Sequence, residues 1–382
     1  MRYALLAEQV FTPTGIVTDT AVVIENGLIV DVTSDIPSEC EVIHLDGQSI
    51  MPGFIDIHIH GRNGSDVMDA TDEALQSIAN ALPQTGVVAW VGTTVTAPWD
   101  DIIQALECVN HFTQQPQAQG AELLGSFLEG PYFTEQYRGS HPPGLLKAPE
   151  LAELEQMKAV AGSSLLRAAL APEAEGAMAA IAWQTENQIK TSVAHTDATF
   201  EQVTEAYRLG ADCGVHLFNG MRGLHHREPG CCGAVLYHDM LAELIADGVH
   251  VNPVMMQLAY RMKGYQGIAL ITDCMRAGGL ADGEYRLGAQ MITVTQGEAR
   301  SPCGSLAGST CSLDHAVRTM VNTVGVPVWE AVQMASSVPA QYLGLEQRLG
   351  AIAPGLEASL TIMDSTLAVT GTLIKGQWAY RQ

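Results

Sequence analysis

The sequence predicts an α/β fold, a TIM-like (β/α)8 barrel with a small β-sandwich domain built from both chain ends. Three observations predict it. Eight short β-rich runs, most of them separated by helix-like stretches, span roughly 220 residues in the middle of the chain, the alternation of a barrel. Histidine, aspartate or glutamate stands near the C-terminal end of most of these runs, where barrel active sites lie. Both ends of the chain, by contrast, are strand-like throughout, with glycine turns.

The elements follow in order. YALLAEQVFT, TAVVIENGLIVDV and CEVIHLDGQSI alternate like strands, and so does the closing ASLTIMDSTLAVTGTLIKGQWAYRQ. Residues 1–50 and 350–382 are therefore expected to form the small β domain, and 51–349 the barrel. The barrel runs are GFIDIHIH, VVAWVGTTVTA, AELLGSFLEG, SLLRAALAPE, IKTSVAHTDA, GVHLFNGM, LAELIADGVH and GIALITDCM. ATDEALQSIANALPQTG and TFEQVTEAYRLGADCG read as helices between them; Thr199, with Gln202 three residues on, makes a capping box for the second. Doubly wound sheets alternate similarly, and the polar residues separate the two folds better. His58 and His60 lie on the first run, Glu129 on the third, His195 on the fifth and His216 on the sixth. His250 follows the seventh, and Asp273 is on the eighth. Polar residues scattered through a core would fall anywhere along the strands; a shared site gathers them at one end.

Strand side chains alternate, so His58 and His60 point to the same face. A lone buried histidine is ordinarily a satisfied core residue. Two at a strand end, joined by His195, His216, Glu129 and Asp273, make a donor set for zinc or another divalent transition metal. Asp56 faces the same way but lies deeper, which suits a supporting role.

Composition narrows the function. The chain has 382 residues, 47% hydrophobic and 16% charged, as expected of a globular protein with a sizeable core. Its 19 Lys and Arg against 42 Asp and Glu give a net charge of −23, which repels nucleic acid and anionic membrane. An anionic small substrate would need a local basic group. The eight cysteines (Cys40, Cys108, Cys213, Cys231, Cys232, Cys274, Cys303, Cys311) show no C-x-x-C pair, which fits free thiols in a reducing compartment. With no signal-peptide pattern and no uninterrupted apolar run of membrane-spanning length, a cytoplasmic location is expected.

PGFIDIHIHG resembles the first-strand signature of the amidohydrolase superfamily. GSFLEGPYF, SVAHTDAT, HLFNGMRGLHHREPG, LIADGVHV, LITDCM and GSLAGST together resemble the N-acetylglucosamine-6-phosphate deacetylases, with LEGPYF, HPP and GLHHREPG also like the galactosamine-type enzymes. The likeness runs through the C-terminal LGAIAPGLEASLTIMD. It implies a metal-dependent amidase acting on a phosphorylated N-acetylated amino sugar, with one or two divalent ions per chain, zinc first and iron, manganese, cobalt or nickel as alternatives. Glu129, His195 and His216 match the main ligands. His58 and His60 match a second metal position, for which Glu129 would bridge, since SLLRAALAPE offers no lysine to be carboxylated. Asp273 matches the catalytic base and acid, taking a proton from water and returning it to the amine.

Arg227 in HREPG matches a residue that grips the 6-phosphate, across a homodimer from the neighbouring subunit. Asn219 and Gly220 match that pocket's lining, His141 and His250 match sugar or acetamide contacts, and Leu306, Ala307 and Gly308 match a substrate loop. Many relatives carry Gly-His-Ser where Ala194, His195 and Thr196 stand, and the small flanking residues leave the ligand in place. Cys231, Cys232 and Cys274 read as buried and structural. The implied reaction is hydrolysis of N-acetylglucosamine 6-phosphate to glucosamine 6-phosphate and acetate. Its rivals are the galactosamine epimer, another N-acyl substrate, or a non-catalytic protein of the same fold; retention of the whole ligand set speaks against the last.

Overall fold

Eight parallel strands stand side by side in chain order in the computed structural model, which describes residues 2–117 and 119–382. They are Phe54–Ile59, Val87–Thr93, Glu122–Leu128, Leu165–Leu170, Lys190–Val193, Ala211–Gly214, Leu241–Ile245 and Ile268–Ile271. The first and eighth are joined by backbone bonds just past their ends: Asp273 N–H donates to His58 O at 2.9 Å and His60 N–H to Cys274 O at 2.9 Å. Asp56, fully buried, reinforces the seam, its Oδ2 accepting from Thr272 Oγ1 at 2.5 Å. Closure thus brings Asp273 beside the two first-strand histidines.

Helices follow the strands and cover the outside. Asp72–Ala81 begins where Thr71 accepts from Ala74 N–H, and it buries Ala74, Leu75, Ile78 and Ala79, one stripe at helical spacing. Thr199 and Gln202 form the expected capping box at the start of Phe200–Leu209. Leu75 and Ile78 join Leu106, Val109, Val203 and Leu244 in the apolar layer between helices and strands. Each such fully buried side chain contributes roughly 1.5–3 kcal/mol. A separate cluster, drawn largely from the strands, holds Ile57, Val91, Phe127, Val215, Ile245 and Ile271.

The sixth strand differs from its sequence reading. It is Ala211–Gly214, the tail of the stretch read as helix, because Gly210 at φ +116° ends the helix at Leu209 and the chain turns straight into a short strand. His216 therefore sits in the turn beyond the strand.

Both chain ends contribute to one seven-stranded sheet. Its order is Gln377–Arg381, Val369–Ile374, Leu360–Asp364, Glu41–Pro52, Arg2–Thr12, Gly15–Glu25 and Leu28–Thr33. The join is antiparallel, with Ile362 opposite Ile50. Leu5, Val22, Ile50, Leu360 and Ile362 share one buried cluster, so neither end completes that core alone. A three-stranded antiparallel sheet (Gly283–Leu287, Gln290–Thr295, Glu298–Arg300), absent from the sequence reading, is inserted after the eighth strand. No helix among the described residues is long and apolar enough to cross a membrane.

Candidate metal centre and its cavity

Glu129, directly after the third strand and almost fully buried, organises the centre. Its two oxygens face two different histidine couples. Oε1 lies 3.1 Å from His216 Nε2 and 3.4 Å from His195 Nε2. Oε2 lies 3.1 Å from His60 Nε2 and 3.5 Å from His58 Nε2. Asp273 Oδ1 adds to the second couple, 3.0 Å from His60 Nε2 and 3.5 Å from His58 Nε2.

The other ring nitrogens settle what these atoms are. His60 Nδ1–H donates to Thr93 O at 3.1 Å, His195 Nδ1–H to Tyr137 O at 3.0 Å and His216 Nδ1–H to Asn219 O at 3.0 Å. Carbonyl oxygens only accept, so each Nδ1 carries the proton and each Nε2 of a neutral ring is left as a lone pair. His58 Nδ1 stands 2.9 Å from Glu243 Oε2, and its Nε2 is buried without a hydrogen-bond partner among the described residues. Two bare nitrogens, those of His195 and His216, then face each other at 3.1 Å, and the others face carboxylate oxygens. Such a set repels itself unless a cation or extra protons lie among the donors. The residues present thus suit a divalent metal, and outward Nδ1 donation is how metal-binding histidines are ordinarily oriented. Among the described residues two overlapping groups meet the spacing of a metal site, His58–His60–Glu129–Asp273 and Glu129–His141–His195.

The electrostatics agree. Burial alone would raise the Glu129 carboxyl, but the surrounding histidines hold it well below the usual carboxylate range. Asp273 is likewise held low against its burial by His58 and His60. His60, which burial would depress, is pushed up to about 10 by Asp273 and Glu129. His195 is lowered, by burial and by His216 beside it, while His216 is raised by Glu129 against its own burial, so the pair does not share a charge evenly.

Backbone geometry marks the same residues. His195, His216 and Asp273 have φ of +44°, +33° and +50°, a left-handed conformation costly for a residue with a Cβ and recurrent at functional sites. It turns each side chain inward just after its strand.

A cavity of about 310 Å³ opens over the centre. His60, Glu129, His195, His216 and Asp273 form its floor, and His141, Asn219, Gly220, His250, Leu306 and Gly308 line it. His141 Nε2 is 3.2 Å from His195 Nε2, and His250 Nδ1–H is braced by Asp247 Oδ2 at 2.7 Å. Two expected substrate residues lie elsewhere. Ala307 is fully buried in an apolar cluster with Val95, Met275 and Ile292, while its neighbours Leu306 and Gly308, the latter in a left-handed turn at φ +59°, line the cavity. Arg227 is on an exposed loop, its Nη1 2.7 Å from its own His226 Nε2.

The sequence reading missed Leu287 and Ser305, which the inserted sheet and the loop after it bring to the cavity wall. It also missed Glu243, Arg167 and Thr96, the last paired with His141 Nδ1 at 2.8 Å. A charged residue inside the apolar runs LAELI and LLRAAL was the available signal for the first two.

Comparison with known proteins places these features. The amidohydrolase family model matches residues 49–379. An N-acetylgalactosamine-6-phosphate deacetylase of Escherichia coli O157:H7 is 42% identical over 99% of this chain and 100% of its own. An N-acetylglucosamine-6-phosphate deacetylase of Vibrio furnissii is 41% identical over 93% of this chain and 89% of its own. Among solved structures, a point mutant of the Mycobacterium smegmatis N-acetyl-D-glucosamine-6-phosphate deacetylase, in complex with N-acetyl-D-glucosamine-6-phosphate, superposes with a TM-score of 0.94. It shares 31% identity over 99% of each chain.

Proposed function

Because the chain belongs to the amidohydrolase family, we propose that it hydrolyses the N-acetyl group of N-acetylglucosamine 6-phosphate, releasing acetate and glucosamine 6-phosphate. The observation that carries this reading is the pair of histidine couples on opposite oxygens of Glu129, in a cavity that also holds Asp273. We assign zinc to the centre, which Glu129, His195 and His216 would hold, and His58 and His60 would offer a second position. When bound, such a cation lowers the pKa of water towards about 7 and polarises the acetyl carbonyl.

The chain's own groups do the rest. Asp273, held ionised, accepts the proton of the attacking water on a carboxylate oxygen and delivers it to the departing amine. His141, His250 and the Asn219–Gly220 turn hold the sugar and its acetamide, and Leu306 closes the apolar side. The Nδ1–H bond of His250 to Asp247 leaves its other nitrogen for the substrate.

A phosphorylated substrate meets a chain of net charge −23, so it needs a focused positive group. Arg227 is our assignment, reaching the cavity of a second copy of the chain in a homodimer. Its exposure on the loop that also carries the exposed Leu224 (54%) supports a covered face there. The thiols, all free, suit a cytoplasmic enzyme.

A second reading, the N-acetylgalactosamine 6-phosphate epimer, is favoured by the Escherichia coli relative that matches the whole chain. Acetate release from both hexosamine 6-phosphates and from unphosphorylated N-acetylglucosamine tests the assignment. The higher kcat/KM on one phosphorylated epimer names the substrate, and equal turnover with and without phosphate would sink the reading.

A further inference from the structure

Two full charges lie inside the barrel where no solvent reaches, Arg167 on the fourth strand and Glu243 on the seventh, both fully buried. Arg167 Nη2 is 2.5 Å from Glu243 Oε1. Such a pair is a poor source of stability, because the cost of taking both ions out of water commonly matches or exceeds their attraction; apolar residues of the same volume would serve the fold as well. Its geometry points instead to the metal centre. Glu243 Oε2 accepts from His58 Nδ1–H at 2.9 Å and from His216 N–H at 3.3 Å. Arg167 is itself immobilised: Nη1 donates to Ile57 O at 2.8 Å, Nη2 to Ser192 Oγ at 3.1 Å, and the guanidinium lies 4.1 Å from the centre of the Phe127 ring.

His58 differs from the other histidines of the centre in one respect. His60, His195 and His216 donate Nδ1–H to neutral backbone carbonyls, whereas His58 donates to a carboxylate. An anionic partner fixes the ring more firmly and raises the basicity of the opposite nitrogen, here the unpartnered Nε2 aimed at Glu129 Oε2 and Asp273 Oδ1.

We propose that Glu243, locked by Arg167, is the positioning residue for His58, and that this buried pair selects for a cation on the Oε2 side of Glu129. The pair holds His58 in the tautomer that offers Nε2 and makes that nitrogen the most electron-rich imidazole of the centre. It acts weakly on the Oε1 side, where the Glu243 side chain meets the backbone N–H of His216 and not its ring. The proposal rests on the metal-centre reading but not on the identity of the sugar, so a failed sugar assay leaves it standing.

Metal binding tests it. The full-length protein is stripped with chelator and titrated with Zn2+ or Co2+, following stoichiometry by mass spectrometry under native conditions and the Co2+ visible bands. The native chain is expected to take up two equivalents. Glu243→Gln is expected to keep the first within about threefold and to weaken the second by about 10–100-fold, the usual effect of losing a partner behind a metal-binding histidine. His58→Gln should lose the same second equivalent, and Glu243→Asp should restore it in part. Should Glu243→Gln misfold because Arg167 is left unpaired, the charge-neutral double variant Arg167→Met/Glu243→Gln decides, with circular dichroism as the check on folding. A folded variant that binds both equivalents with native affinity overturns the proposal. So does equal weakening of both, the mark of a merely structural pair, and so does a native chain that binds a single equivalent.

Discussion

Gly220 looks like an ordinary turn residue, yet a single methyl group there should disable the centre. It sits at φ +59°, and a Cβ would fall 2.6 Å from His195 Nδ1, 3.0 Å from its Cε1 and 3.1 Å from Tyr137 O. Those are the donor and acceptor of the bond that orients His195. Ordinary contact begins near 3.4 Å, so the imidazole must retreat by about 0.8 Å (3.4 less 2.6) or the turn must deform. A shift of this order in a group at the reacting centre costs about 10²-fold in rate, or about 2.7 kcal/mol of barrier. The left-handed backbone adds about 1 kcal/mol of strain for alanine.

Gly220→Ala is therefore expected to fold, to bind less metal after dialysis and to lose about 100-fold in kcat/KM. Gly144→Ala, where a Cβ would meet nothing within 4 Å, is the control and should stay within about twofold. The assay is acetate release together with metal content and circular dichroism of the same samples. If Gly220→Ala keeps native metal content and kcat/KM, the argument that this turn is built to the size of His195 is wrong.

Three more expectations follow from particular contacts. Asp273→Asn should retain metal on Glu129, His195 and His216 but lose most turnover, about 10²–10⁴-fold, as its proposed role as proton carrier requires; turnover near the native rate would remove it from that role. Arg227→Ala should raise KM for the phosphorylated sugar at least about tenfold with folding intact, as loss of a charge-assisted phosphate contact predicts, and KM should stay unchanged for an unphosphorylated analogue. Glu122 carries the pH prediction. Its Oε2 lies 2.9 Å from Arg348 Nη1 and 3.0 Å from Lys375 Nζ, tying the third barrel strand to the C-terminal sheet. Burial would raise its pKa, but the two cations hold it below its ordinary 4.5. The folded state then binds fewer protons than the unfolded one, so the stabilisation is complete above the ordinary value and fades as pH falls through the folded one. Melting curves of Glu122→Gln should show a deficit of about 1 kcal/mol near neutral pH that closes in acid, and a pH-independent deficit would count against the ion pairs.

Much of the site could be read before folding was known because barrel geometry makes the end of a strand a place. His58, His60, Glu129, His195 and Asp273 each follow or end a β-rich run, and parallel strands in chain order carry such residues to one rim. The capping box at Thr199 was legible for a related reason: both of its bonds are made within four residues. The sixth strand was misplaced because "ADCG" carries no alternation of its own. Its strand character comes from pairing with Lys190–Val193 and Leu241–Ile245, contacts distant in sequence.

From its residues alone the chain determined its class, its strand order and the donor types of its centre, since periodicity, caps and residue chemistry are local. Tertiary structure decided which oxygen of Glu129 faces which histidine couple, that Ala307 turns into the core while Leu306 and Gly308 face the cavity, and that Glu243 reaches His58. Those depend on closing the first strand against the eighth and on packing side chains from separate strands into one interior. Distance there is set by the whole barrel and not by spacing along the chain.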